Sequence, residues 1–317
     1  MSEAAAYRAA REGAALVDLP ERGLLAASGP QRQRFLHSML SNAVLDLQPG
    51  QGRLAALMDV KGHLTALMRV LATPDALLLE LPKQRLAKVE ETLVFYRVGA
   101  PVRFAAREAA VLGVLGPGAP ALLESLGLPA PREPQAHAEA TLAGASLRVS
   151  RATDLPAGAF VVHAPPETAE AVRVALKGGD AVPIGRDVFD ALRVEEGRPL
   201  YGVDVAEEHL LHETGLLAEY HSSSKGCYLG QEVVARLEGR GGNVNKQLRG
   251  LRLGAAASAG APVLREGREV GRVTTAAVSP RIGPIALACV HRNAFEPGTA
   301  VEIGGVAATV TSLPFST

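Results

Sequence analysis

The chain has no tryptophan, only two cysteines, and 4% aromatic residues over 317 positions. Cys227 and Cys289 cannot build a disulfide framework, nor supply the four thiolates that a resident iron-sulfur cluster usually takes, so both read as reduced thiols. There is no excess of charge: Lys+Arg and Asp+Glu stand at 33 each. No global field therefore draws the protein to nucleic acid or to an anionic membrane, and direct nucleic-acid binding is not expected. No apolar run approaches the roughly 20 residues of a membrane span, and residues 1–16 carry Glu3 and Glu12 where a signal peptide would have an apolar core. The expected location is cytoplasmic. A Gly-x-x-x-x-Gly-Lys-Ser/Thr run is also missing, which leaves a nucleotide-binding P-loop unsupported. Gly239-Arg-Gly-Gly242 does not follow a strand and open a helix, so it reads as a turn rather than a dinucleotide fingerprint. His209 and His212, with Glu213 beside them, lack a third spaced ligand, and no metal site is expected there.

What is present is enough apolar material for a substantial core, 47% of the chain, arranged as an internal repeat. Leu24 to Ser28 reads as a strand, Gly29-Pro30 as a turn, and Gln31 to Leu40 as a helix with Phe35, Leu36, Met39 and Leu40 on one face. The same grammar returns as strand Val111 to Leu115, turn Gly116-Pro117 and helix Ala119 to Leu126, with Leu123 and Ser125 matching Leu36 and Ser38 at a constant offset. Each unit continues with further strands and a second helix: Arg53–Met58, His63–Leu71, Ala76–Leu81 and helix Pro82–Leu93 in the first; Ala145–Val149, Ala159–Val162 and helix Pro166–Leu176 in the second. Residues 130–138, punctuated by proline, read as a loop. After Arg249 the texture becomes short strands broken by Gly and Pro, as in a small barrel. The expected architecture is α+β: a duplicated strand-helix-strands-helix region over residues 1–250, then a C-terminal β-barrel over 251–317.

Chemistry concentrates in Lys225-Gly-Cys-Tyr-Leu-Gly-Gln-Glu232. Gly230 suits a tight turn, and Gln231 to Arg236 reads as a helix whose N-terminal amides face that turn. A lysine upstream and a helix start downstream both favour thiolate, so Cys227 is the candidate reactive residue. Cys289, in apolar Leu287-Ala-Cys-Val290, reads as core. Lys225, Arg236 and Arg240 are cations placed to meet an anion, and Tyr228 is a ring able either to stack on a ligand or to pack beneath the loop.

That run, followed by Val233-Val-Ala-Arg236, resembles the signature of the YgfZ family, folate-binding proteins implicated in maintaining iron-sulfur enzymes. Further matching pieces are Gly29-Pro30 before Phe35-Leu36, Asn42 before Leu47-Gln-Pro-Gly50, Leu192-Arg-Val-Glu-Glu-Gly-Arg-Pro199, and Leu313-Pro-Phe315. The family shares a superfamily with the glycine-cleavage T-protein, a tetrahydrofolate-dependent aminomethyltransferase, and the resemblance spans nearly the whole chain. It implies tetrahydrofolate, or a one-carbon derivative, as the ligand. Glu195 would accept from the amide N–H and exocyclic amine of the pterin, with Glu213, Lys225, Tyr228 and Arg236 as further contacts. It also implies iron-sulfur assembly proteins or client enzymes, tRNA-modifying ones included, as partners. One departure bears on catalysis. Where the aminomethyltransferase branch carries an aspartate on the strand after a glycine turn, Lys61-Gly-His-Leu-Thr-Ala-Leu67 offers Thr65 and Ala66. The expectation is a folate-binding accessory protein with an essential thiol, the alternative being a divergent aminomethyltransferase or other one-carbon transferase.

Overall fold

Near-continuous apolar strands such as Leu64–Ala72 and Phe160–Ala164, buried on both faces, form two sheets packed back to back, each with helices on its outer face. The computed structural model describes residues 2–316. In chain order the elements are α1 (Glu3–Glu12), β1 (Ala15–Asp18), β2 (Arg22–Ser28), α2 (Arg32–Met39), β3 (Gly52–Met58), β4 (Leu64–Ala72), β5 (Ala76–Pro82) and α3 (Leu86–Tyr96). There follow β6 (Arg103–Arg107), β7 (Ala110–Leu115), α4 (Ala119–Ser125), β8 (His137–Leu142), β9 (Ala145–Arg151), β10 (Phe160–Ala164), α5 (Ala169–Gly178) and β11 (Val182–Pro183). The first sheet has the order β3-β4-β5-β2-β6, the second β11-β1-β7-β10-β9-β8.

The repeat expected from the sequence is carried into atomic detail. The Arg32 N–H bonds the Gly29 carbonyl at 3.2 Å, and Ala119 N–H bonds Gly116 at 3.0 Å. The Ser38 hydroxyl donates to the Phe35 carbonyl, and the Ser125 hydroxyl to the Leu122 carbonyl. Gly29 and Gly116 hold φ values of 109° and 99°, and a Cβ would meet the Pro101 and Gly13 carbonyl oxygens at 2.1 and 2.3 Å. Only glycine fits either turn. Pro82 and Pro165 each precede a single 3-10 turn that leads into α3 and α5. Strand β2 is flanked by β5 and β6, and its counterpart β7 by β10 and β1. The second sheet is thus completed by a strand that precedes the first half in sequence.

Odd positions of β5 point outward: Leu77, Leu79 and Leu81 pack with Leu36, Met39, Val89 and Leu93 of α2 and α3. In the second half Val162 and Ala164 pack with Leu122, Leu123, Val172 and Leu176 of α4 and α5. The inner face carries a buried ion network. Glu80, fully buried, accepts from Arg22 and Arg69, both at 2.7 Å, and lies 2.8 Å from His163 Nε2. Asp154, in the β9–β10 connection, takes the second arms of both arginines at 2.9 and 2.5 Å. Burial alone would raise the Glu80 pKa, but Arg69, Arg22 and His163 hold it well below the usual carboxylate range; Asp154 is lowered by the same two arginines.

The second compact unit comprises residues 185–217 and 232–317. It holds α6 (Arg186–Glu195), part of the one-turn α7 (Leu217–Tyr220), most of α8 (Gln231–Glu238), and a closed barrel. The barrel strands are β12 (Lys246–Leu253), β13 (Pro262–Arg265), β14 (Arg268–Ser279), β15 (Gly283–His291), β16 (Ala300–Ile303) and β17 (Val306–Thr311), in the order β12-β15-β14-β13-β16-β17. The expected cut at 250/251 falls within β12, and α6 belongs with the barrel rather than with the repeat. The reason is a buried cation. Arg193, 1% exposed, donates to Asp204 at 2.6 Å and to the Thr275 hydroxyl of β14 at 2.7 Å. The loop expected over 130–138 is shortened by β8, which starts at His137. Among the described residues no helix is long and apolar enough to cross a membrane.

The Glu80 network sets a measurable pH dependence. The folded pKa values of Glu80 and Asp154 are depressed, so their contribution to stability is present above the ordinary carboxylate pKa and lost as pH falls below it. Arg69→Met should cost about 3 kcal/mol at pH 7 and flatten the acid limb of stability against pH, both read by urea unfolding.

Candidate functional site

The thiol loop belongs to the first unit, which takes in residues 218–231 as well as 1–184. Its entry is fixed by α2 and the turn after it: Ser41 Oγ donates to the Tyr220 carbonyl at 2.6 Å, and Asn42 Nδ2 bonds the carbonyls of Leu54 and Glu219. Tyr220 is buried, and burial together with Asp154 raises its pKa. Lys225 is buried as well. Its ammonium donates to the His37 and Leu40 carbonyls at the C-terminal end of α2, where a cation complements the helix dipole. The same ammonium lies 4.7 Å from the centre of the Tyr228 ring, and His221 packs on Tyr228 at 5.9 Å between centroids. Burial pushes the Lys225 pKa down to about 8.

The exit from the loop is fixed by Gly230, at φ 82°. A Cβ there would meet the Asp59 carbonyl oxygen at 2.6 Å and Met58 Cβ at 3.1 Å. The loop is therefore seated on the β3–β4 turn, whose shape comes from Asp59 Oδ1 accepting the Lys61 and His63 N–H groups at 2.8 and 2.9 Å. Between these two anchors Cys227 is exposed. Lys225 and Tyr228 sit beneath the loop and hold it; the ammonium expected beside the thiol is engaged by the α2 carbonyls. Cys289, in β15, has its pKa raised to about 11 by burial.

Glu195, Glu213 and Arg236 lie in the second unit. Glu195 ends α6 and is 1% exposed. Its oxygens accept from the Ser279 hydroxyl and, at 3.3 Å, from Arg281. The Ser279 oxygen in turn accepts the Arg281 and Ile282 N–H groups at 3.1 and 2.9 Å, closing the β14–β15 turn around the carboxylate. Glu213 accepts from the Leu210 N–H at 3.0 Å and is 3.9 Å from the Lys246 ammonium. Arg236 is exposed on the last turn of α8. His209 Nδ1 accepts the Ala206 N–H at 3.0 Å, and burial lowers its pKa. Among the described residues no group of three or more His, Cys, Asp or Glu is arranged to hold a metal ion. The Arg193–Asp204–Thr275 network escaped sequence reasoning, although Arg193 stands within the Leu192-Arg-Val-Glu195 motif; nothing in the sequence linked it to a strand 82 residues away.

The GCVT N-terminal domain matches residues 2–219, and the glycine cleavage T-protein C-terminal barrel domain matches residues 246–316. The chain belongs to the glycine cleavage T-protein family. An aminomethyltransferase of Exiguobacterium sibiricum is 30% identical over 307 residues, covering 94% of this chain and 84% of the relative. One from Streptomyces avermitilis is 29% identical over 324 residues, covering 96% and 86%. A chloroplastic protein of Arabidopsis thaliana named as a transferase is 25% identical over 314 residues, covering 96% and 71%. The crystal structure of glycine cleavage system aminomethyltransferase T from Bartonella henselae superposes with a TM-score of 0.89 at 23% identity, over 98% of this chain and 89% of that one, which shows the shared fold. This is an aminomethyltransferase-like protein of GCVT fold.

Exposure separates the two thiols. Brief treatment with iodoacetamide at pH 8 should add one label per chain, at Cys227, and Cys227→Ser should remove it, as read by intact-protein mass spectrometry. Lys225→Met should cost about 1–3 kcal/mol by leaving the α2 carbonyls without their donor, and should raise protease sensitivity within residues 221–231.

Proposed function

We propose that this GCVT-family protein binds tetrahydrofolate and acts as a YgfZ-type accessory to iron-sulfur enzymes, tRNA-modifying ones among them, with Cys227 as its working thiol and without aminomethyl transfer of its own. The observation that carries this reading is the β3–β4 hairpin. At the positions compared with the aspartate of the transferase branch stand Thr65 and Ala66, and Ala66 is fully buried in the helix-side core. Neither side chain ionises, so neither can take a carboxylate's part in proton transfer. The loop that exposes Cys227 rests, through Gly230, on the turn of that same hairpin. The hairpin thus supports a thiol where a catalytic acid is missing.

Tetrahydrofolate would be held by its pterin edge on Glu195. An ionised carboxylate has about four acceptor sites, and Glu195 exchanges or shares its Ser279 and Arg281 donors for the pterin amide and amine. Glu213 supplies a second acid, and exposed Arg236 a cation for the tail carboxylates. Lys225 and Tyr228 fix the thiol loop instead. The names of the bacterial relatives favour a second reading, a one-carbon transferase acting without that aspartate.

Calorimetry with tetrahydrofolate under reducing conditions tests the first reading. Wild type and Cys227→Ser should bind alike, and Glu195→Gln should weaken binding about tenfold or more. In cells lacking the protein, Cys227→Ser should fail to restore iron-sulfur enzyme activity while still binding folate. Methylene transfer to tetrahydrofolate from an aminomethyl-loaded carrier should be undetectable; turnover by the wild type would overturn the accessory reading in favour of the transferase.

A further inference from the structure

The two sheets align strand for strand except at one edge. With the turns at Gly29 and Gly116 superposed, β3, β4, β5, β2 and β6 of the first sheet match β8, β9, β10, β7 and β1 of the second, and β11 has no counterpart. The register extends the match to residues. Ser28 pairs with Arg103 as Leu115 pairs with Ala15, so Val102, Phe104 and Ala106 stand where Ala14, Leu16 and Asp18 stand beside β7. In the second sheet the carbonyls of Ala14 and Leu16 point away from β7 and accept the N–H groups of Val182 and Ile184, at 3.0 and 2.9 Å. In the first sheet the Val102 carbonyl accepts from the Arg97 guanidinium at 2.8 Å instead. Beyond it the backbone groups of Phe104 and Ala106 point away from β2, and no hydrogen bond from another segment meets them among the described residues. Arg103, Ala105, Ala106 and Arg107 are exposed. An edge strand in this state is a template for a further strand.

Charge selects the kind of strand. Arg103 and Arg107 share one face of β6 and make no ion pair among the described residues. Between residues 92 and 123 the only acid is Glu108, against Arg97, Arg103 and Arg107. A cavity of about 630 Å³ at the start of the strand is lined by Arg97, Arg103 and Ser28 without a carboxylate. A second copy of the chain is a poor occupant, because antiparallel pairing of two β6 strands about Ala105 would set Arg103 of each copy opposite Arg107 of the other, and like charges directly opposite are destabilising. Carboxylates at alternate positions of an incoming strand would instead meet both guanidiniums. Apolar residues between them would fall on the face of Phe104, whose ring packs 6.0 Å from that of Phe35.

We propose that the open edge of β6 docks an extended acidic segment of a partner protein, which adds to the first sheet as β11 adds to the second. The site rests on the sheet edge alone and is independent of the folate and thiol reading. The probe is the peptide acetyl-Glu-Val-Glu-Val-Glu-Val-Glu-amide, with the same peptide carrying Lys for Glu as control, each titrated against the full chain at constant ionic strength by NMR and calorimetry. Saturable binding of the glutamate peptide is expected, with slowed hydrogen exchange at the Phe104 and Ala106 amides. The lysine peptide should bind about tenfold more weakly or worse, the scale of a lost hydrogen bond to a charged group, and the double variant Arg103→Glu/Arg107→Glu should reverse the preference. Ala106→Pro removes a donor that β2 does not use and should weaken binding about tenfold. Should that variant not fold, the N-methylated glutamate peptide keeps the charges, loses the backbone donors and should fail to bind. Absence of saturable binding to wild type, equal binding of the two peptides, or undiminished binding of the N-methylated peptide would each overturn the proposal. A dimer of the wild type that Ala106→Pro dissolves would overturn it in favour of a second copy.

Discussion

The contact between Glu80 and its two arginines organises the first unit. Burying a carboxylate between two sheets is unfavourable unless its oxygens are fully matched, and here Arg22, Arg69 and His163 match them with geometry that tolerates little displacement. The network also reaches sideways. Asp154 comes from the long β9–β10 connection and stands near Tyr220, which is tied through its carbonyl to Ser41. Sheet pairing, the approach of the second hairpin and the entry to the thiol loop therefore share one charged centre. An apolar replacement could match its stability, but would not fix the register of one sheet on the other.

Much of this fold was legible because it rests on local rules. The turns at Gly29 and Gly116, the apolar faces of α2 to α5, and the barrel strands punctuated by glycine all declare themselves within a dozen residues. The elements that sequence reasoning passed over are those with weak patterns. α1 is mostly alanine and charge; β1 is four residues long; β6, Arg-Phe-Ala-Ala-Arg107, is largely exposed and lacks apolar alternation. The ion networks were illegible for a different reason: Arg22 and Asp154 are 132 residues apart, and only the packed sheets bring them together.

The candidate site divides along the same line. The exposure of Cys227 and the tight turn at Gly230 follow from the short motif itself. The partners of Lys225, the carbonyls of His37 and Leu40, lie more than 180 residues back in the chain, so the lysine looked like a neighbour of the thiol when it is a cap for α2. Glu195 likewise finds Ser279 and Arg281 through the barrel turn. In both places the motif marks where chemistry is concentrated, while the supporting contacts come from distant backbone that only folding supplies.

The exchange of β1 and β6 between the halves has a consequence for how the protein is made. On a ribosome adding about 5–20 residues per second, β1 emerges several seconds before β7, its partner in the second sheet. The first half can close on its own strands once β6 has emerged, whereas β1 must wait unpaired while that half folds beside it. Cutting the gene at the repeat boundary would strand β1 on the wrong fragment and leave the second sheet without an inner strand. The two halves share one pattern, but the exchanged strands tie each sheet to both of them.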